Sequence, residues 1–265
     1  MLQNNGNGTV FMNMNLLGLK IFTDEYNSEK SQALSKRLGI SVVNEKSTDG
    51  LYLQFSNGAL SLTDNKMALC GDFSKLISRI RPNNLNGEMI VKAVRIKNAQ
   101  APLRIVDATA GLGEDSFLLA AAGFFVDMYE YNTVIALLLE DALHRAKESE
   151  QLGKIAERMS LFNENSINAL KRLDSSPDVI VLDPMFPERS KQNTLIKKKF
   201  QLLQRLESPC DDEIALLSAA MAANPKKIVI KRPAKGQFLA GIKPDYSVTG
   251  KAIRYDCITN FKAPM

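Results

Sequence analysis

One histidine, three cysteines and no tryptophan occur among 265 residues. Those scarcities exclude several chemistries. The lone histidine stands in Leu143-His144-Arg145 with no second histidine or cysteine near it. A Ser-His-Asp or Cys-His pair or a metal centre therefore cannot be built around it, and it reads as a helix-surface residue. Cys70, Cys210 and Cys257 are widely spaced and form no C-x-x-C pattern, which points away from a disulfide framework or a zinc site and toward a reducing cytoplasm. No apolar window reaches the roughly 18 residues needed to span a bilayer, and no basic-then-apolar leader opens the chain. The expectation is a cytoplasmic protein without metal or membrane partner.

What is present suits a large α/β domain with a smaller lobe. The chain is 45% hydrophobic and carries a net charge of +5, a mild bias compatible with a polyanionic partner. Residues 1–15 are rich in asparagine and glycine and read as a flexible tail. Residues 16–86 read as a small α+β lobe, with a helix over 30–38, a strand over 40–43 and a hairpin of 51–55 and 59–62 turning on Asn57-Gly58. A helix over 88–96 then opens the main domain, 87–265. Strands at 103–107, 124–129, 159–163, 178–182 and 227–231 alternate with helices at 115–122, 133–147, 166–172 and 212–223. Such alternation implies a parallel sheet covered on both faces. Strands near 246–248 and 253–258 can add an antiparallel edge. Val134, Leu137, Leu138 and Ala142 read as one core face, and Glu140 and Asp141 as solvated charges.

Two motifs carry chemistry. The first is Asp107-Ala108-Thr109-Ala110-Gly111-Leu112-Gly113, between a strand and a helix. Gly111 and Gly113 allow the sharp turn and close approach that a nucleotide cofactor needs. Ser116 occupies the place of a third glycine, so a dinucleotide fingerprint fits poorly. Glu130 ends the next strand, where an acid can accept both ribose hydroxyls. Asp107 has two readings, a cofactor contact or an acceptor for the turn's own amides.

The second motif is Val181-Leu182-Asp183-Pro184-Met185-Phe186-Pro187. The lone pair of an exocyclic amine on a flat base is delocalised, so acceptors such as the Asp183 carboxylate and Pro184 carbonyl must aim it. Phe186 would supply a stacking platform. Arg189, Lys191, Lys197, Lys198 and Lys199 follow, and Lys231-Arg232-Pro233 closes a later strand. These bases suit phosphate contacts, above all Lys191, Lys197, Lys198, Lys231 and Arg232. Arg79 and Arg81 extend that basic surface.

Together the motifs resemble the class I S-adenosylmethionine-dependent methyltransferases, and more closely the bacterial ribosomal RNA small subunit methyltransferase J family. Gly87-Glu88, Lys92-Ala93-Val94, Lys231-Arg232-Pro233 and Arg254-Tyr255-Asp256 add to the likeness, which covers roughly residues 50–258. The resemblance implies a Rossmann-like fold with a mostly parallel seven-stranded sheet and an antiparallel edge strand. It implies S-adenosylmethionine as cofactor and N2 of a guanine in 16S rRNA, free or in the small ribosomal subunit, as acceptor. Cofactor contacts carried over are Glu114, Asp115, Glu130, Tyr131, Asn165, Ser166 and Asp183. Glu114 stands where that pattern leads one to expect a basic residue. Readings left open are methylation of adenine N6 or another amine, a nicotinamide-dependent dehydrogenase, and a non-catalytic rRNA-binding factor.

Overall fold

The computed structural model describes residues 18–23, 29–48, 50–64, 66–99, 102–184, 202 and 212–260. The expected tail, and within the second motif Met185 to Pro187, lie outside them, as do Arg189, Lys191, Lys197, Lys198 and Lys199.

The main sheet holds seven strands: β6 (Arg104–Asp107), β7 (Phe125–Tyr129), β8 (Met159–Phe162), β9 (Val179–Leu182), β10 (Lys227–Pro233), β11 (Tyr246–Thr249) and β12 (Ile253–Ile258). Their order is β11-β12-β10-β9-β6-β7-β8. The run from β8 to β10 is parallel, whereas β12 is antiparallel to both β10 and β11. This is the Rossmann-like methyltransferase arrangement. Its strands read as apolar runs because both faces are covered. Ile105, Val179, Val181 and Val229 pack on one side with α3 (Met89–Val94) and α4 (Glu114–Ala121). Val106, Ile180, Leu182, Ile228 and Ile230 pack on the other with α7 (Ser166–Leu170) and α8 (Glu213–Ala222).

The order reverses between β6 and β9. From β6 the chain moves outward to β7 through α4, while β9 starts the opposite half. A crevice forms at such a switch point beyond the carboxyl ends of the strands.

A second sheet, in the order β2-β1-β3-β4-β5, precedes it: β1 (Leu19–Phe22), β2 (Val42–Val43), β3 (Leu51–Ser56), β4 (Ala59–Thr63) and β5 (Ala68–Leu69). The hairpin turn has positive φ at Asn57 (51°) and Gly58 (76°), the twist that tight hairpins favour. β1 was not foreseen from the sequence. It lies between β2 and β3, parallel to both.

The helix that joins the two sheets is α5 (Thr133–Glu148). The sequence suggests one apolar face, but there are two. Leu139, Ala142, Leu143 and Ala146 join the core under the main sheet, while Val134, Leu137 and Leu138 join that of the small sheet with α1 (Glu29–Leu38). Nor are Glu140 and Asp141 merely solvated. Glu140 pairs with Arg37 of α1 at 2.7 Å, and Asp141 accepts the Leu60 amide at 3.0 Å and Arg145 at 2.9 Å. Glu140 thus links this helix to α1, and Asp141 fastens it to β4 of the small sheet. His144, as expected, is on the helix surface, with 73% of its side chain exposed.

Candidate active site at the ends of β6 and β9

The turn after β6 is held by acids from the strands beside it. Asp107 is buried; its Oδ1 accepts the Thr109 amide at 3.2 Å and its Oδ2 the Ser116 hydroxyl at 2.5 Å. The structure therefore favours the reading in which this acid braces its own turn. Ser116 is the second brace. Burial pushes the Asp107 carboxyl up to about 6; the two hydrogen bonds oppose the shift, and the charges of Asp115 and Asp183 add to it. Glu130 is also buried, accepting the Gly111 amide at 3.0 Å and the Asn132 amide at 2.8 Å. Its carboxylate thus stands against the glycine turn at the end of β7. Asn132 goes on to cap α5 through its side chain, a positioning role that the Asn-Thr pair at a helix start could have signalled.

The glycines have different reasons. Gly113 caps α4 at φ 73°, and a Cβ there would lie 2.7 Å from a Leu139 methyl. Gly111 has φ 55° and nothing within 4 Å of where a Cβ would be, so it faces open space. A backbone turn bordered by open space, with a carboxylate from the neighbouring strand, fits an adenosyl cofactor. Farther along the same rim, Asn165 caps α7 with its side chain, Ser166 begins that helix and Tyr131 is 47% exposed. Asn163, unremarked in the sequence, donates to the Glu130 carbonyl at 2.8 Å.

The Asp-Pro turn after β9 begins one hydrogen bond away. The Asp183 amide, just past β9, donates to the Thr109 hydroxyl at 2.6 Å. Lys231, at the end of β10, places Nζ 2.9 Å from Asp183 Oδ2 and 2.9 Å from Asp115 Oδ2. Tyr255 of β12 donates to the same Asp115 oxygen at 3.3 Å. Desolvation raises the Asp183 carboxyl against the pull of Lys231, an effect tempered by the 42% of its side chain that stays exposed. Burial also opposes the Lys231 charge, but the two carboxylates outweigh it and hold the ammonium charged well above its ordinary range. Pro184 is buried beside them.

Three basic residues expected to face a polyanion are engaged within the protein. Lys231 is taken up by the two carboxylates. Arg232 is buried, its Nε donating to the Gln237 carbonyl at 2.7 Å. The cause is strand alternation: Lys231 points to the α4 side of the sheet and Arg232 to the α8 side, near Glu213. Arg79 forms a two-pronged pair with Glu88, both contacts at 2.8 Å. The Arg254-Tyr255-Asp256 run is likewise structural in part. Arg254 donates to the carbonyls of Pro233, Ala234 and Gly236 while Asp256 holds its Nε at 2.8 Å.

A glycine turn after the first core strand, an acid ending the second and an Asp-Pro turn after the fourth define a class I methyltransferase that uses S-adenosylmethionine. Comparison with known proteins agrees. A family model described as "Putative SAM-dependent methyltransferase" matches residues 33–260. A crystal structure of a SAM-dependent methyltransferase from Neisseria gonorrhoeae superposes with a TM-score of 0.72 at 32% identity, over 92% of this chain and 97% of that one. Ribosomal RNA small subunit methyltransferase J of Chromobacterium violaceum is 37% identical over 234 residues, 86% of this chain and 91% of that protein. The protein of that name in Neisseria meningitidis is 36% identical over 241 residues, 89% and 95% of the two chains. The chain belongs to the ribosomal RNA small subunit methyltransferase J family.

Proposed function

We propose that this protein methylates the exocyclic N2 of a guanine in 16S rRNA, using S-adenosylmethionine, in the cytoplasm. The observation that supports this reading is the hydrogen bond from the Asp183 amide to the Thr109 hydroxyl, which joins the glycine turn and the Asp-Pro turn on one rim. The family relationship and the net charge of +5 support an rRNA acceptor. So does the rim beyond β10. Lys235 and Lys251 are exposed on neighbouring loops joined by the 2.9 Å bond from the Ala234 amide to the Ala252 carbonyl, beside a 37% exposed Phe238. Neither lysine has an ion-pair partner among the described residues.

Bound S-adenosylmethionine supplies a methyl group on a sulfonium, already a good leaving group, so the protein's task is alignment. Gly111 and Gly113 would shape the cofactor's bed, which Asp107 braces, and Glu130 and Tyr131 would hold the ribose and adenine. Glu114, Asp115, Asn165 and Ser166 line the remaining wall. Asp183 and the Pro184 carbonyl accept the two N–H groups of guanine N2 and turn its nitrogen toward the donor, with Phe186 stacked on the base. The amine becomes acidic as it gains the methyl group, and its proton leaves to Asp183 or to water. Lys191, Lys197 and Lys198, following Phe186, hold flanking phosphates. Residues 16–86 serve as a smaller lobe against the catalytic unit, 87–265, with Phe73, Leu76 and Leu85 packed into the core of the main sheet.

The test is transfer of labelled methyl from S-adenosylmethionine to small ribosomal subunits, naked 16S rRNA and DNA, followed by mapping of the modified base. Label on a guanine N2 of 16S rRNA is the expected result. Label confined to DNA or to adenine N6 would overturn the assignment.

A further inference from the structure

We infer that Lys231 is a positioning residue for methyl transfer, clamping the Asp183 carboxylate so that one oxygen alone faces the acceptor amine. The inference rests on the proposed use of Asp183 as that acceptor; the clamp itself is a matter of geometry. Lys231 Nζ lies 2.9 Å from Asp183 Oδ2 and 2.9 Å from Asp115 Oδ2, so a single ammonium bridges the first turn of α4, directly behind the glycine bed, and the end of β9. A charge-assisted bond of that length fixes the carboxylate about its own axis. With Oδ2 engaged, Oδ1 and the Pro184 carbonyl remain to receive two N–H groups. That arrangement selects an amine with two hydrogens over one already methylated.

The bridge also balances charge. The acids facing Asp183 are Asp115 on α4 and Asp107 at the end of β6; the bases are Lys231 and, from the other side of β10, Arg232. Tyr255 of β12 donates to Asp115. Without the ammonium, Asp183 would lose the pull that opposes burial and the like charge of Asp115, and would take up a proton more readily. A protonated Asp183 cannot accept as a carboxylate, and it presents a hydroxyl where the amine needs a lone pair. Tyr255 donates as a neutral phenol, since burial first and the Asp115 charge next push its ionisation far above the ordinary range.

The measurement is the pH profile of kcat for wild type, Lys231→Met and Lys231→Arg with saturating rRNA and S-adenosylmethionine. The expected result for Lys231→Met is a kcat lowered ~10- to 100-fold at neutral pH, an acid limb displaced upward by about one pH unit or more, and partial recovery in alkali. Lys231→Arg keeps the charge and should return the limb to its wild-type position. A second measurement needs no acceptor: carboxyl ¹³C NMR should show Asp183 titrating at higher pH in Lys231→Met than in wild type. Unmoved Asp183 titration in folded Lys231→Met overturns the clamp, as does a uniform loss of kcat at every pH. Failure of the wild type to methylate rRNA would sink the substrate assignment and leave the NMR comparison to decide on Lys231.

Discussion

The two halves of the site are made of different materials. The proposed cofactor bed is mainly backbone: a glycine turn with positive φ at 111 and 113, its amides answered by Asp107 and Glu130. The proposed acceptor side is mainly charge, a lysine between two carboxylates with a buried phenol behind. The first half is specified by what has no side chain, the second by which side chains meet. They should therefore fail differently, one through shape and one through protonation.

The sharpest separation comes from Asp183→Ala. It removes the proposed acceptor of the reacting amine while Lys231 retains Asp115, so kcat should fall by about 10³-fold or more with the melting temperature nearly unchanged. Full activity in that variant, measured by methyl transfer, would erase the distinction between the halves. Gly113→Ala attacks shape instead. Its Cβ would come 2.7 Å from a Leu139 methyl at a φ of 73°, and a cost of about 1–3 kcal/mol is expected by chemical denaturation, with weakened cofactor binding by calorimetry. Wild-type stability there would mean that the bed tolerates side chains after all.

Asp107 lies on the border between the two halves, and its prediction concerns pH. Its folded value, about 6, lies above the ordinary 3.8. A carboxyl raised on folding contributes stability in full below the unfolded value and loses it as pH rises through the folded one. Wild type should thus lose on the order of 2–3 kcal/mol between pH 4 and pH 7 that Asp107→Asn does not, read from paired denaturation curves. Parallel curves would assign the brace to shape alone. The smallest effect belongs far from the crevice. Glu140→Ala breaks an exposed pair with Arg37 and should cost no more than about 1 kcal/mol, with kcat unchanged.

The sheet of the main domain was legible because its strands are buried on two faces and so read as uninterrupted apolar runs. Helix and strand limits followed within about two residues. β1 was not legible: four residues after an asparagine-rich stretch become a central strand only because distant residues 42–43 and 51–54 pair with them. In the site, the two glycines, Glu130 and Asp183 announced themselves by their place at strand ends. Lys231 and Arg232 looked like surface bases because a linear chain does not reveal which carboxylates will face them. Strand periodicity held part of the answer. With Val229 on the α4 face and Ile230 on the α8 face, adjacent bases must part company, one to each side.

Helix α5 carries a consequence for anyone wishing to shorten this enzyme. Gripped by apolar neighbours on opposite flanks, it has little outward-facing surface to spare, and Leu19, Ile21, Leu34, Leu53, Leu60 and Leu62 are part of its coat. A truncated catalytic unit would display Val134, Leu137 and Leu138 as a bare greasy strip. Trimming the protein to a minimal methyltransferase would therefore require repainting that strip with polar side chains first.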